Sequence, residues 1–132
     1  GPAYTGRVLV MDDDRDVRES LVHMLASFGV AVEGVADGRA AVDEYVAAQR
    51  RREGYDLVFM DLTVPGGVGG REAVRLLLEN DPTARVIVVS GYSHDPVLAD
   101  CRRFGFRGGL AKPVAMDDLG RLLAEFLAPA DA

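Results

Sequence analysis

The sequence predicts an α/β fold, a five-stranded parallel sheet doubly wound by five helices, and three observations lead there. Short, almost continuously apolar runs rich in β-branched residues alternate with segments whose apolar residues recur at helical spacing. The runs lack the in-and-out polarity of a half-exposed strand, as expected where helices cover both faces of a sheet. Each strong run also leads into a residue able to do chemistry, and in such sheets ligands collect at the carboxyl ends of the strands.

Taken in order, residues 7–11 (RVLVM) form the first strand. Val17, Leu21, Met24, Leu25 and Phe28 follow on one helical face, with Gly29 as the exit. Residues 30–35 are a weaker strand. Asp37-Gly38 starts a second helix carrying Ala41, Val42, Tyr45 and Val46, and Gly54 is its expected exit. Residues 56–60 (DLVFM) give the third strand, and Ala73, Val74, Leu77 and Leu78 the third helix. The fourth strand is 85–89 (RVIVV), Ser93 through Pro96 starts a fourth helix, and Gly105 ends it. Residues 106–111 are a weaker fifth strand, and Leu119, Leu122, Leu123 and Phe126 mark the last helix. No internal repeat or low-complexity linker interrupts the series. A single domain spanning 1–132 is expected, its core about 6–128, with residues 1–5 and 129–132 as tails. That length suffices to bury roughly two-thirds of the unfolded surface around one core.

Composition narrows the function. The net charge of −6, with no basic stripe and no interleaving of aromatic and basic residues, argues against nucleic-acid binding and points to protein partners. No apolar run approaches the ~18 residues of a membrane span, and no signal-peptide pattern opens the chain, so a soluble, cytoplasmic protein is expected. The lone cysteine, Cys101, has no partner for a disulfide or a metal and reads as a helix residue. Arg50, Arg51 and Arg52 read as a solvated helix end, where cations suit the dipole. His23 and His94 read as ordinary, partly exposed residues. Of fifteen basic residues, Lys112 alone is lysine, which suggests a site that admits a compact ammonium and not a planar guanidinium.

The strand ends converge on one edge. Asp12, Asp13 and Asp14 follow the first strand, Asp61 the third, Ser90 the fourth and Lys112 the fifth. Carboxylates within about 5 Å of one another repel by ~3 kcal/mol at an effective dielectric near 20, so a cation must join them. With only oxygen ligands and no His or Cys cluster, the hard ion Mg²⁺ is the expected occupant. An aspartate beside it can attack phosphorus to form an acyl phosphate, while an ammonium and a hydroxyl stabilise the transferring oxygens. Asp61, Lys112 and Ser90 suit those three tasks.

The motifs "VLVMDDD", "DLVFMDLTVPGGVGG", "VIVVSGYS" and "GFRGGLAKP", in that order, resemble the receiver domain of two-component response regulators over roughly residues 6–128. The resemblance implies a flavodoxin-like, receiver-type fold. It implies Asp61 as phosphoacceptor, Asp12 and Asp13 as the Mg²⁺-binding acidic pair, and Thr63 lending its backbone carbonyl to the metal. Ser90 would be the switch hydroxyl and Lys112 the lysine that contacts the phosphoryl group, in a Lys-Pro pair whose peptide bond is often cis in the family. Asp14 reads as a helix cap. The implied partner is a histidine kinase or phosphotransfer protein, and the domain is expected to be a monomer or weak dimer. "DLTVPGGVGG", "SGYSHDP" and "GFRGGLAKP" are most similar to receiver domains of hybrid sensor histidine kinases.

Two departures stand out. The family usually places an aromatic residue three positions before the lysine, and here that residue is Gly109. The loop "PGGVGG" after Asp61 carries four glycines without the GK[ST] ending of a phosphate cradle, and reads as a mobile hinge. With the aromatic missing, the response to phosphorylation is expected around residues 62–70 and 90–95. Tyr92 and Thr63 occupy family positions that tune dephosphorylation. Two alternatives compete with the receiver. Asp12 and Asp14 form the D-x-D of a haloacid-dehalogenase-like phosphohydrolase, which leaves Asp61 without a task. A non-phosphorylated interaction module fits the missing aromatic but not the retained acceptor and metal residues. A flavin-type cofactor site is excluded by three aspartates in the turn where a phosphate would bind.

Overall fold

The computed structural model describes residues 2–92 and 94–130. Five parallel strands form one sheet: β1 (Arg7–Met11), β2 (Ala31–Val35), β3 (Leu57–Asp61), β4 (Val86–Ser90) and β5 (Gly108–Ala111), in the spatial order β2-β1-β3-β4-β5. The five helices are α1 (Arg15–Ala26), α2 (Gly38–Arg50), α3 (Gly70–Asn80), α4 (Pro96–Ala99) and α5 (Met116–Phe126). The expected architecture is therefore present, and both weak strand candidates pair into the sheet.

The continuous apolarity of the central strands follows from what lies on each face. Leu9, Met11, Val58, Met60, Val86 and Val88 pack on the side that carries Ala41, Tyr45, Val74 and Leu77 of α2 and α3. Their neighbours Val8, Val10, Leu57, Phe59, Ile87 and Val89 pack on the opposite side with Leu21, Leu25, Leu119 and Leu123 of α1 and α5. Adjacent residues point to opposite faces, both faces are dry, and so every position must be apolar. That rule breaks only at the carboxyl edge: among the described residues the buried polar or charged ones are Asp12, Asp61 and Ser90.

Three local readings are corrected. Asp95 caps α4 and Pro96 opens it, but the helix lasts four residues; Asp100 leaves helical geometry at φ −140°, and a 3₁₀ turn at Cys101–Phe104 carries the chain to Gly105. Cys101 thus lies in a 3₁₀ turn and not an α-helix, and Ser93 lies outside the described residues. Gly54 does not provide the left-handed exit of α2, because Arg52 takes φ +61° and turns the chain two residues earlier. The arginines there are also more than a solvated end: Arg51 pairs with Glu44 at 2.9 Å and reaches Glu53 at 3.4 Å, and Glu44 also accepts from Tyr55. Gly29 and Gly105, at φ +87° and +98°, are the left-handed exits their positions predict.

Candidate phosphoryl-transfer site

At the carboxyl edge the sheet brings together the loops after β1, β3, β4 and β5. Asp12 follows β1, with its amide held by Val35 O at 3.1 Å and its Oδ1 accepting from Asp14 N at 2.9 Å. Asp14 turns away from this group and caps α1, its Oδ1 accepting from Asp16 N and Val17 N at 2.9 and 3.1 Å. This is the capping role expected of it, and it uses the carboxylate that an acid–base D-x-D would need. Asp61 is the last residue of β3 and Ser90 the last of β4, each inside its strand and not beyond it. Lys112 directly follows β5, its amide bonded to Ser90 O at 2.7 Å, and precedes a cis Pro113.

The Lys112 ammonium lies between two buried carboxylates, 2.9 Å from Asp12 Oδ2 and 3.1 Å from Asp61 Oδ1. Carboxylate oxygens of Asp12, Asp13 and Asp61 all lie within 4.8 Å of one another. This all-oxygen donor set, free of His and Cys, fits a hard divalent cation such as Mg²⁺. Burial pushes the Asp61 carboxyl up to about 6, with Asp12 adding to the rise and Lys112 opposing it. Burial pulls on Lys112 in the opposite direction, yet its bonds to Asp12 and Asp61 prevail and hold the ammonium above the ordinary lysine value. The net result is a cation that stays charged and a carboxylate that is easily protonated when nothing further neutralises it.

A cavity of about 310 Å³ opens over these groups and brings Asp13, Thr63, Ser90 and Tyr92 to the same rim. All six predicted site residues therefore meet here. Asp13 and Thr63 are exposed, and Tyr92 is 76% exposed, whereas Asp12, Asp61 and Ser90 are buried. His23 and His94 are exposed and line no part of it. A second, more apolar cleft of about 470 Å³ adjoins it, between Val17, Leu21 and Met24 of α1 and the Lys112–Val114 segment.

Sequence reasoning missed how the rim is tied down. Ser90 Oγ accepts from Tyr92 N at 3.2 Å and donates to Asp95 Oδ2 at 3.5 Å, while Asp95 Oδ1 caps α4 through Val97 N at 2.9 Å. The Asp-Pro pair at a helix start was a visible signal for that cap. On β5, a Cβ at Gly109 would lie 2.8 Å from Leu98 Cδ2, so a leucine of α4 covers the strand where the family's aromatic would begin. The "PGGVGG" hinge reading is corrected for its C-terminal half. A Cβ at Gly69 would meet Leu62 O at 2.7 Å, one at Gly70 Asp61 O at 2.6 Å, and Val68 O bonds Gly38 N at 2.8 Å. These glycines permit close backbone approach; Gly66, at φ +72° with no atom near its missing side chain, is the open tip.

The family profile of the response regulator receiver domain matches residues 8–124. The osmosensing histidine protein kinase SLN1 of Saccharomyces cerevisiae is 26% identical over 123 residues, which cover 92% of this chain and 10% of the kinase. The response regulator GacA of Pseudomonas aeruginosa is 32% identical over 123 residues, 92% of this chain and 55% of that protein. Relatives thus include a histidine kinase, in line with the hybrid-kinase resemblance, as well as response regulators. The chain spans about a tenth of the first of these relatives and about half of the second. Among solved structures, the CheX–CheY–BeF₃–Mg²⁺ complex from Borrelia burgdorferi superposes with a TM-score of 0.81 at 28% identity, covering 92% of this chain and 89% of that one.

Proposed function

Since the chain belongs to the response regulator receiver domains, we propose that it accepts a phosphoryl group on Asp61 from a phosphohistidine of a histidine kinase or phosphotransfer protein. An Asp61 carboxylate oxygen attacks phosphorus as the P–N bond breaks; the electron pair leaves with the imidazole, and an acyl phosphate remains. The observation that carries this reading is the buried Asp61–Lys112–Asp12 constellation beneath an open cavity, with a third carboxylate from Asp13 in reach. Asp12, Asp13 and Asp61, with the backbone carbonyl of Thr63, would hold Mg²⁺. Bound there, the ion would neutralise charge on the transferring oxygens. Lys112, in contact with both Asp12 and Asp61, would donate to the transferring oxygens, and Ser90 would supply a hydroxyl at the end of β4.

Two features of this chain support the assignment. Asp61 with a value about 6 is mostly ionised at neutral pH, as a nucleophile must be, while its burial keeps bulk water from screening the charge it would meet. Lys112 is a point donor wedged between two carboxylates, where a guanidinium fork has no room to replace it without displacing one of them. The apolar cleft beside the cavity suits a donor protein that must bring its histidine to Asp61 while covering Met24 and Val114. The same reading makes the domain a switch and not a turnover enzyme, and a donor histidine kinase would meet it in the cytoplasm; no described helix is long and apolar enough to cross a membrane. The phosphohydrolase alternative loses its acid–base group to the α1 cap.

Mass spectrometry after incubation with acetyl phosphate and Mg²⁺ tests the proposal. One added phosphoryl group per chain is expected, absent in Asp61→Asn and strongly reduced in Lys112→Arg. Labelling that persists in Asp61→Asn, or repeated release of phosphate from an ester substrate, would overturn it.

A further inference from the structure

Asp13 is exposed and forms no ion pair among the described residues; its side-chain contact is with the Asp61 carboxyl, and it supplies one corner of the acidic trio. A carboxyl–carboxyl contact is lost once both groups ionise, and the direction of Asp13 then rests on the backbone, chiefly on the Asp12–Asp13 peptide plane. That plane has a dedicated anchor. Arg18, one turn into α1, donates from Nη1 to the Asp12 carbonyl oxygen at 2.8 Å, and is half-buried. Arg15, Arg39, Arg51, Arg75 and Arg121 pair with carboxylates, whereas Arg18 forms no ion pair among the described residues and gives Nη1 to a backbone carbonyl. The Arg18 guanidinium is brought to that carbonyl by the course of its stem. The stem lies across Gly34 of β2: a Cβ at Gly34 would sit 3.3 Å from both Cγ and Cδ of Arg18. Glycine is a poor strand residue, and Gly34 carries no positive φ to excuse it, so the space it leaves for the stem is its evident use.

We infer that Arg18 is a positioning residue for the Mg²⁺ site, holding the Asp12–Asp13 peptide so that the Asp13 carboxylate faces Asp12 and Asp61 before any ion arrives, and that Gly34 provides the track along which it reaches. This deepens the phosphoacceptor reading and rests on it. Without the clasp, the peptide is held by the Asp12 side-chain bond to Asp14 N and by the Asp12 amide, and neither fixes the carbonyl. Ion binding must then supply the ordering that Arg18 supplies beforehand. Partners that orient ligands typically change metal affinity by about 10–100-fold, and one acting through a ligand's backbone belongs at or below the lower end, about 3–10-fold.

The test is a Mg²⁺ titration followed by the amide shifts of Asp13 and Asp14, with thermal melting in Mg²⁺-free buffer as the check on folding. Arg18→Ala should bind Mg²⁺ about 3–10-fold more weakly, and Arg18→Lys, which keeps a donor on a similar stem, should recover part of the loss. Gly34→Val probes the track from the other side: its Cβ would stand 3.3 Å from the Arg18 stem and 3.5 Å from Val22 Cγ2, so it should weaken Mg²⁺ binding, and the melting check separates this from a loss of fold. Affinity within about twofold of wild type in folded Arg18→Ala would overturn the inference while leaving the phosphoacceptor reading intact. Should Arg18→Ala not fold, unchanged affinity in both Arg18→Lys and Gly34→Val would overturn it equally. A wild-type chain that binds no Mg²⁺ at millimolar concentrations would sink the reading of the site itself.

Discussion

Two loops face each other across Asp61, and both contain glycine for opposite reasons. Where the chain passes from β3 into α3, a side chain at Gly69 or Gly70 would collide with the carbonyl oxygens of Leu62 and Asp61. In the loop from β4 to α4, Gly91 has nothing within 4 Å of its missing side chain, Tyr92 stands in solvent, and the helix that follows lasts four residues. The first loop is built into the floor of the site; the second is held by the Asp95 cap and by Leu98 lying on Gly109. Glycine content therefore does not measure mobility. What decides is whether the vacant Cβ position is filled by a neighbour or left open.

The sharpest way to break this comparison is a pair of alanine substitutions. Gly70→Ala places a methyl group 2.6 Å from Asp61 O and 3.3 Å from Met60 Cβ, behind the proposed acceptor, where neither backbone nor core can yield cheaply. Overpacking of this kind should cost about 2–3 kcal/mol in chemical denaturation, and should slow phosphorylation as well. Gly91→Ala should stay within about 0.5 kcal/mol of wild type. Equal effects at the two positions would refute the distinction.

Next in size is the consequence of burying Asp61 in that floor. Its carboxyl is raised from 3.8 to about 6 by burial, so folding favours the protonated form. The contribution is favourable below the unfolded value and lost as pH rises through the folded one; at neutral pH the ionised group works against the fold. Asp61→Asn, which cannot ionise, should be more stable than wild type in Mg²⁺-free buffer at pH 7.5, on the order of 1–3 kcal/mol. The gain should shrink as pH falls below about 6 and vanish near pH 4. A stability difference independent of pH would show that Lys112 already neutralises the carboxylate completely.

The contrast between the loops also marks where the sequence was legible. Periodicity identified the sheet and helices because burial on both faces leaves no polar option inside Val8–Met11 or Val86–Val89. The site residues were legible for the same reason: Asp12, Asp61 and Ser90 interrupt apolar runs, and Lys112 is the one lysine among arginines. Close approach is different. Nothing in "PGGVGG" distinguishes Gly66, an open tip, from Gly70, which touches the Asp61 carbonyl, because the neighbour comes from another part of the chain. Arg18 escaped notice likewise, since its partner is a backbone carbonyl and carries no side-chain signature. The short α4 was hidden because Asp95-Pro96 announces a start and no residue announces the early stop at Asp100.

A smaller effect is expected at the α4 cap. Asp95→Ala removes the acceptor for Val97 N and the partner of Ser90 Oγ together. Loss of an N-cap costs about 1 kcal/mol, and a helix this short should register it as local opening. Faster hydrogen exchange at Leu98, Ala99 and Asp100, with no change in α3, is the expected result. Uniform acceleration through α3 would mean that the two loops are not independently held.

The last effect is one of distribution and not of stability. Leu98 covers Gly109, and Val88 lies 3.1 Å from the same vacant position, so no ring can turn inward there. Any response to the phosphoryl group must instead pass through segments that have room to move: the Gly66 tip, and Gly91 and Tyr92 beside Ser90, whose hydroxyl is shared with the α4 cap. Such a shift requires contacts that exist only in the activated state, and Ser90 can make one only by loosening its 3.5 Å bond to Asp95. Backbone NMR of the Mg²⁺ form with and without beryllofluoride should therefore show its largest shift changes around residues 64–67 and 90–95, smaller ones at Gly69 and Gly70, and the smallest at 105–111. Changes at Gly108–Ala111 as large as those at Gly91 and Tyr92 would mean that Leu98 transmits the movement of α4 into β5, and that the strand switches without an aromatic.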